Sequence, residues 1–469
     1  MYSLINIRNN NFMVDQNISA LLDKYNLPVP RYTSYPTVPF WKDNIDKQQW
    51  SEVFSRQFSK NNKEGISLYI HLPFCESLCT YCGCNKKITE NHKVENEYME
   101  ALIQEWEIYL SLMKQKPLIK ELHLGGGTPT FFSPGNLTEM INSILSKAIV
   151  HDNPEFSFEG HPNNTTREHL QALYELGFRR VSFGVQDNDA EVQRIINRIQ
   201  PFENVKQVTG WAREIGYKSV NYDLIYGLPK QNLTGLKKTI TEIAYLKPDR
   251  IAFYSYAHVP WTSRGQRLFD ENDLPSTGQK MELYREGSKL FVDFGYTDIG
   301  MDHFALKNDD LYKAWKEGWL HRNFMGYTTQ RTAMLLGLGV SSISDAGLAF
   351  TQNHKNIHDY YLAIKNNELA VTRGFFLNEE DVSFKKYILD MACSGKTFFK
   401  PEHKVLLEKF SFPELKILEE DGLVKWNETG AELTSTGRNF LRNVCRAFDL
   451  HLLRSPASEN TKPRFSKGV

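Results

Sequence analysis

The sequence predicts a parallel α/β sheet, either open or closed into a barrel, and three observations carry the prediction. Through the first two thirds of the chain, apolar runs of strand length alternate with segments of helical period. Three helix exits share one grammar, Leu176-Gly177-Phe178, Ile215-Gly216-Tyr217 and Phe294-Gly295-Tyr296. Each puts Gly where a left-handed C-cap sits and follows it with an aromatic that opens the next strand. The 469 residues are 41% hydrophobic and 13% aromatic, enough to bury a large core.

The expected strands, in order, are Ile66–Leu72, Glu121–Leu124, Glu155–Glu159, Arg180–Gly184, Ser219–Ile225 and Arg250–Tyr256. Between them, Val94, Tyr98, Leu102, Trp106 and Leu110 recur every four residues and form one helical face. Ser133-Pro134 reads as an N-cap with Pro at the first helical position. Thr165 and Glu168 stand at capping-box spacing before a third helix. The last ~95 residues change character: helical patterns dominate, Leu418–Leu423 leads into a hairpin-like stretch, and a final helix lies near Gly437–Phe448. That region reads as a small helical or winged-helix-like module, and the tail after Ser455 as a solvated terminus. The organisation is residues 1–60, 61–372 and 373–469.

Charge narrows the function. Lys plus Arg number 56 and Asp plus Glu number 56, so the net charge is zero and a chain-wide affinity for nucleic acid or anionic membrane is not expected. Met1–Gln16 is Asn-rich without the apolar core of a secretory signal, and no run of ~18 apolar residues occurs. A cytoplasmic protein without membrane insertion is expected.

Four of the six cysteines fall between positions 75 and 84. Cys75, Cys79 and Cys82 form C-x3-C-x2-C, with Cys84 two residues on, directly after the first apolar strand. Zinc sites commonly pair two C-x2-C motifs, and no second pair exists here, although a zinc-bound or buried loop stays open as a reading. Three thiolates in one loop suit a four-iron cluster whose fourth iron has no protein ligand. Cys393 and Cys445 are isolated and read as small buried hydrophobes. Gly125-Gly126-Gly127-Thr128 follows the second strand, where glycines let backbone approach a ligand. Glu159, Gln186, Asp223 and Tyr256 stand at the ends of successive strands, which in a parallel barrel converge on one mouth.

The cysteine loop resembles that of the radical S-adenosylmethionine (SAM) enzymes. A closer resemblance runs from about Lys24 to the last residues. It is carried by Pro30–Thr37, Gly184-Val185-Gln186-Asp187, Asp223–Gln231, Tyr256-Ala257-His258, Gly300–Ala305, His321–Phe324 and Gly326–Gln330, with the fourth cysteine. Together these are similar to the oxygen-independent coproporphyrinogen III oxidases. The resemblance implies a partial (β/α)6 TIM-like barrel with an N-terminal lid, drawn from Pro28–Pro39, and a small, mostly helical C-terminal domain. It implies a 4Fe-4S cluster on Cys75, Cys79 and Cys82, with Cys84 needed for turnover but not as a ligand. Tyr69, Gly126, Glu159 and Ile343 would meet one SAM, with Tyr69 against its sulfonium. A second SAM would lie near Tyr81, Gly127, Thr128, Gln186, Arg198, Asp223 and Ala257.

The implied reaction turns two propionates of coproporphyrinogen III into vinyls, with electrons from a flavodoxin or ferredoxin, in a monomer. A substrate with four carboxylates needs cations, and Arg31, Arg264 and Arg322 are the candidates. The competing reading is a related haem chaperone, which usually has an aromatic at the position of Cys84 and lacks the Pro-Arg-Tyr-Thr-Ser-Tyr-Pro lead-in. A nucleic-acid-binding C-terminal module is disfavoured, since no basic stripe interleaved with aromatics is present.

Overall fold

Six apolar runs pair in sequence order as parallel strands: β1 (Ile66–Leu72), β2 (Leu118–Gly126), β3 (Ile149–Gly160), β4 (Arg180–Gln186), β5 (Ser219–Tyr226) and β6 (Arg250–Ser255). They are seen in a computed structural model that describes residues 20–261 and 263–455. The expectations for Met1–Gln16 and for the tail after Ser455 lie outside the described residues.

Register puts Leu68 beside Leu122, Leu122 beside Phe156, Val181 beside Val220 and Tyr222 beside Ile251. These side chains are buried in one hydrophobic core. One principal helix follows each strand: Val94–Leu112, Pro134–Leu145, Arg167–Glu175, Phe202–Ile215, Leu233–Tyr245 and Thr277–Asp293. In the first, Tyr98, Leu102 and Trp106 are fully buried, as the four-residue spacing predicts. Ser133 caps the second, accepting from the Asn136 N–H.

The three Gly exits close as Schellman turns. Gly177, Gly216 and Gly295 have φ of +96°, +109° and +93°. The following N–H groups reach back from Phe178 to the Leu173 carbonyl, Tyr217 to Ala212 and Tyr296 to Phe291, at 2.9–3.0 Å.

Some expectations shift. The capping box before Arg167–Glu175 is Thr166 with His169, one residue later than the expected Thr165 with Glu168. Thr165 is buried, donates its hydroxyl to the His161 carbonyl at 2.9 Å and lies 3.2 Å from the Thr130 hydroxyl, which removes it from capping. The sheet also continues beyond six strands to thirteen. Leu335–Leu338 runs parallel to β1, and four antiparallel strands lie beyond it; His303–Ala305 and Thr297–Gly300 extend the β6 side antiparallel.

The chain divides into two compact units, Phe40–Val382, and residues 1–39 with 383–469. The unit bounds differ from the expected breaks after 60 and 372. Lys47–Asn61 is a helix buried through Trp50, Phe54 and Phe58, and Lys42–Asp43 pairs with the Val371–Phe376 strand, so both belong to the larger unit. In the smaller unit, Lys396–Phe398, Val424–Asn427 and Gly430–Leu433 form a three-stranded sheet among short helices. Part of the lead-in that the sequence assigned to a lid is fastened inside this unit. Tyr32 donates to Asp449 at 3.1 Å, Asn443 to the Tyr25 carbonyl at 3.0 Å, and Arg442 to the Pro30 carbonyl at 3.2 Å. Among the described residues no helix is long and apolar enough to cross a membrane.

Candidate active site

A cavity of about 360 Å³ opens at the C-terminal ends of the strands and runs down into the sheet's concave side. Cys75, Cys79, Cys82 and Cys84 line it, all as free thiols. The loop that carries them leaves β1 through Pro73 and is pinned at both ends. His71 Nε2 donates to the Asn85 carbonyl at 2.9 Å, which makes Nδ1 the acceptor from the Tyr69 hydroxyl at 3.0 Å. Lys86 Nζ donates to the Cys82 and Cys84 carbonyls at 2.9 and 3.4 Å. Arg198 Nη1 lies 3.5 Å from Cys79 Sγ, and Thr128 Oγ1 lies 3.3 Å from Cys75 Sγ. A hydrogen bond from Cys84 holds the Cys82 thiol down to about 6, and the same contact pushes Cys84 up.

The donor set fits a 4Fe-4S cluster: three thiols face one cavity, with Arg198 and Lys86 supplying positive charge beside them. Among the described residues no three His, Cys, Asp or Glu side chains draw together around a single metal ion. A cluster does not ask for that convergence, because each thiolate takes a different iron.

The glycine segment lies against this loop. The Gly127 N–H reaches the Leu72 carbonyl at 2.8 Å, and a Cβ added there would stand 2.5 Å from the Pro73 carbonyl oxygen. Gly126 has φ +118°, directs its N–H to Glu159 Oε2 at 3.4 Å, and covers the His71 ring at 2.9 Å from a would-be Cβ. Glu159 is oriented by a relay from the sheet interior: Arg180 Nη2 donates to Ser157 Oγ at 2.9 Å, Ser157 to His123 Nδ1 at 2.8 Å, and His123 Nε2 to Glu159 Oε1 at 3.4 Å. Tyr69 stacks on His123 at 6.0 Å between ring centroids.

On the far wall, Arg198 Nη2 donates to the Gly184 carbonyl at 2.6 Å, where an added Cβ would stand 2.5 Å from Gln186 Nε2. Gln186 itself has φ +65° at a bulge in β4, a strained backbone that aims it into the cavity. Asp223 accepts from Ser182 Oγ at 3.0 Å and Asn221 Nδ2 at 2.9 Å; burial, then the nearby Glu159, pushes its carboxyl up to about 6.

The structure therefore brings Tyr81, Gly126, Gly127, Thr128, Glu159, Gln186, Arg198 and Asp223 to the same cavity as the four cysteines. Tyr69 and Ile343 are not in the lining; Ile343 is buried, and Tyr69 sits behind Glu159 and Gly125. Ala257 is tied to Tyr81 by Gln266, whose Nε2 donates to both carbonyls at 3.2 Å. Of the arginines chosen for substrate, Arg264 is exposed and does not line the cavity, because it begins a short turn that turns outward. Arg322 is buried behind the wall, 4.8 Å from the Tyr327 ring. Arg31 belongs to the other unit. The cations that do line the cavity are Lys86, Arg180, Arg198 and Arg250.

Sequence reading examined the strand tips and missed the layers beneath them. Glu121, His123, Arg180, Ser182, Asn221 and Arg250 line the cavity below the tips, Glu155 and Ser157 accept from Arg180, and Ser219 shares Asp309 with Arg250. Period-two polarity within these apolar runs is the signal that would have found them. Glu121 accepts from Ser67 and Thr328 hydroxyls at 2.5 and 2.6 Å, and burial, then Glu155, pushes it up to about 7. A carboxyl raised in the fold contributes stability that is complete below its unfolded value near 4.5 and is lost as pH rises through 7. Glu121→Gln is expected to match wild type near pH 5 and to exceed its stability above pH 8 by on the order of 3 kcal/mol. Chemical denaturation at the two pH values measures this.

The Radical SAM superfamily pattern matches residues 69–243. The oxygen-independent coproporphyrinogen III oxidase of Helicobacter pylori is 41% identical over 92% of this chain and 95% of its own. Those of Pseudomonas aeruginosa and Escherichia coli are each 38% identical with the same coverage. The solved structure of coproporphyrinogen III oxidase from Escherichia coli, described as a radical SAM enzyme, superposes with a TM-score of 0.84 at 37% identity, over 90% of this chain and 97% of that one. With this site, this fold and these relatives, the chain belongs to the oxygen-independent coproporphyrinogen III oxidases of the radical SAM superfamily.

Proposed function

We propose that the chain catalyses the oxygen-independent oxidative decarboxylation of coproporphyrinogen III to protoporphyrinogen IX, turning the ring A and B propionates into vinyls. The observation that carries this reading is the convergence of the four cysteines, the glycine segment, Glu159, Gln186, Arg198 and Asp223 on one cavity. When bound, a 4Fe-4S cluster and two molecules of SAM supply the carbon radical that takes hydrogen from the propionate carbon next to the ring; CO2 then leaves and an acceptor takes the last electron.

The chain's own part is placement. Cys75, Cys79 and Cys82 would hold the irons, with Arg198 offsetting thiolate charge at Cys79. His71 and His123 fix Tyr69 and Glu159. Gly126 and Gly127 let the segment pack against the His71 ring and the Pro73 carbonyl, which sets Thr128 beside Cys75. Lys86, Arg180, Arg198 and Arg250 are the cations in a lining that also holds Glu76, Glu121, Glu159 and Asp223, and guanidinium forks pair well with substrate carboxylates. We place the reaction in the cytoplasm, in a monomer, with an external one-electron donor such as a flavodoxin or ferredoxin.

Gly127→Ala is expected to press on the Pro73 carbonyl and separate the glycine segment from the cysteine loop. Overpacking of this kind costs roughly 1–3 kcal/mol, so SAM affinity should fall about tenfold or more, read by equilibrium binding.

The deciding experiment is anaerobic. Reconstituted protein carrying about four irons is incubated with SAM, a reductant and coproporphyrinogen III, and vinyl-bearing product is expected. Stoichiometric haem binding without decarboxylation would overturn the reading in favour of a haem chaperone.

A further inference from the structure

Positive charge gathers at the end of the sheet opposite the cysteines. A second pocket opens beneath the N-terminal ends of β2 to β6, lined by seven Lys and Arg side chains against two carboxylates, Glu155 and Asp310. The cations enter in step with the strands: Lys120 near the start of β2, Arg180 at the start of β4, Lys218 just before β5, and Arg250 at the start of β6. Arg331 and the exposed Trp319 form the outer wall.

Part of this charge is already spent. Arg180 and Arg250 share Glu155, and Asp309 takes Arg250 Nε at 2.7 Å. Lys313 pairs with Asp310 at 2.8 Å, and Arg179 donates to the Tyr174 and Phe178 carbonyls. Lys120, Lys218 and Arg331 have no acidic partner among the described residues, and Asp152, close in sequence to the lining His151, is not in the lining. In a chain of zero net charge, gathering unpaired cations around one recess raises self-repulsion, which an anion would relieve. The N-terminal end of a parallel barrel ordinarily serves stability, and three unpaired cations around a recess do nothing for it.

We propose that this pocket binds a small molecule carrying at least two phosphate or carboxylate groups. The three unpaired cations hold its outer oxygens, and Arg180 and Arg250 form the back wall. Those two arginines line the cysteine-side cavity as well. An anion below them therefore adds negative charge beneath the upper cavity and weakens the binding of a carboxylate-bearing ligand there, and the weakening is reciprocal. The site is a regulatory one, and it stands independently of which reaction the upper cavity performs.

The test is calorimetric titration of the cluster-loaded full-length protein with tripolyphosphate and, separately, with citrate, at constant ionic strength set by KCl. One site per chain is expected for at least one of the two, and the better ligand tells phosphate from carboxylate. Lys218→Glu and Arg331→Glu should each weaken binding by at least about tenfold, and Lys218→Gln and Arg331→Gln by less. Both positions of change are exposed, and unchanged circular dichroism confirms the fold. Heats no larger than those of KCl, or affinities that the substitutions leave untouched, would overturn the proposal.

Discussion

Cys84→Ser is expected to leave about four irons per chain while lowering turnover on the order of 10²–10⁴-fold. The loop geometry motivates both halves. Cys84 follows Gly83, around which nothing lies within 4 Å of an added Cβ, so the loop is open there. The Cys84 side chain is exposed yet lines the cavity, while Cys75, Cys79 and Cys82 are half-buried, the first two with Thr128 and Arg198 against their sulfurs. An exposed thiol presented to the cavity, its bond going to Cys82 of the same loop, suits a working group better than a cluster ligand. Serine keeps the size and the hydrogen bond but removes the S–H. Iron and sulfide content measured beside vinyl formation separates the two effects. A cluster lost together with activity would make Cys84 a ligand and sink the assignment.

The cysteine loop was readable from sequence because its pattern is local: three thiols within eight residues need no tertiary information. The strands were readable because Leu68, Leu122, Phe158 and Val220 lie in apolar runs, and the helix exits because only Gly adopts those positive φ values cheaply. What stayed hidden depends on pairing across the sheet. Three-residue strands such as His303–Ala305 carry no period, so the thirteen-stranded sheet could not be counted. Thr165 and Thr166 are equivalent caps until burial removes one. Arg31, Arg264 and Arg322 are candidates on the ground that a tetracarboxylate needs cations near the barrel mouth, whereas Arg180 and Arg250 look like ordinary strand starts. Only the period-two polarity within the apolar runs marks those two as parts of the cavity.

Arg250→Ala is expected to destabilise the larger unit by about 3–5 kcal/mol, the cost of leaving a buried charge without its partner. Arg250 is 6% exposed and Asp309 5%, and their 2.7 Å contact closes the floor of the cavity. Asp309 also accepts from Ser219 Oγ and the Leu311 N–H at 2.7 Å, so it cannot turn away to find water. Glu155 loses support too: burial pushes it up, and Arg180 and Arg250 hold it below the ordinary carboxylate range. The control is Arg167→Ala. Its 2.6 Å pair with Glu214 is shorter, but both side chains are about half exposed, at 49% and 61%. Solvent screening limits such a pair to roughly 0–1 kcal/mol. Denaturant midpoints for the two variants decide the matter, since the shorter contact should matter less. Equal losses would mean that water reaches the floor and screens Arg250 as it screens Arg167. Adding Asp309→Asn to Arg250→Ala should then recover nothing, whereas in a dry floor the double variant loses less than the two single losses added together.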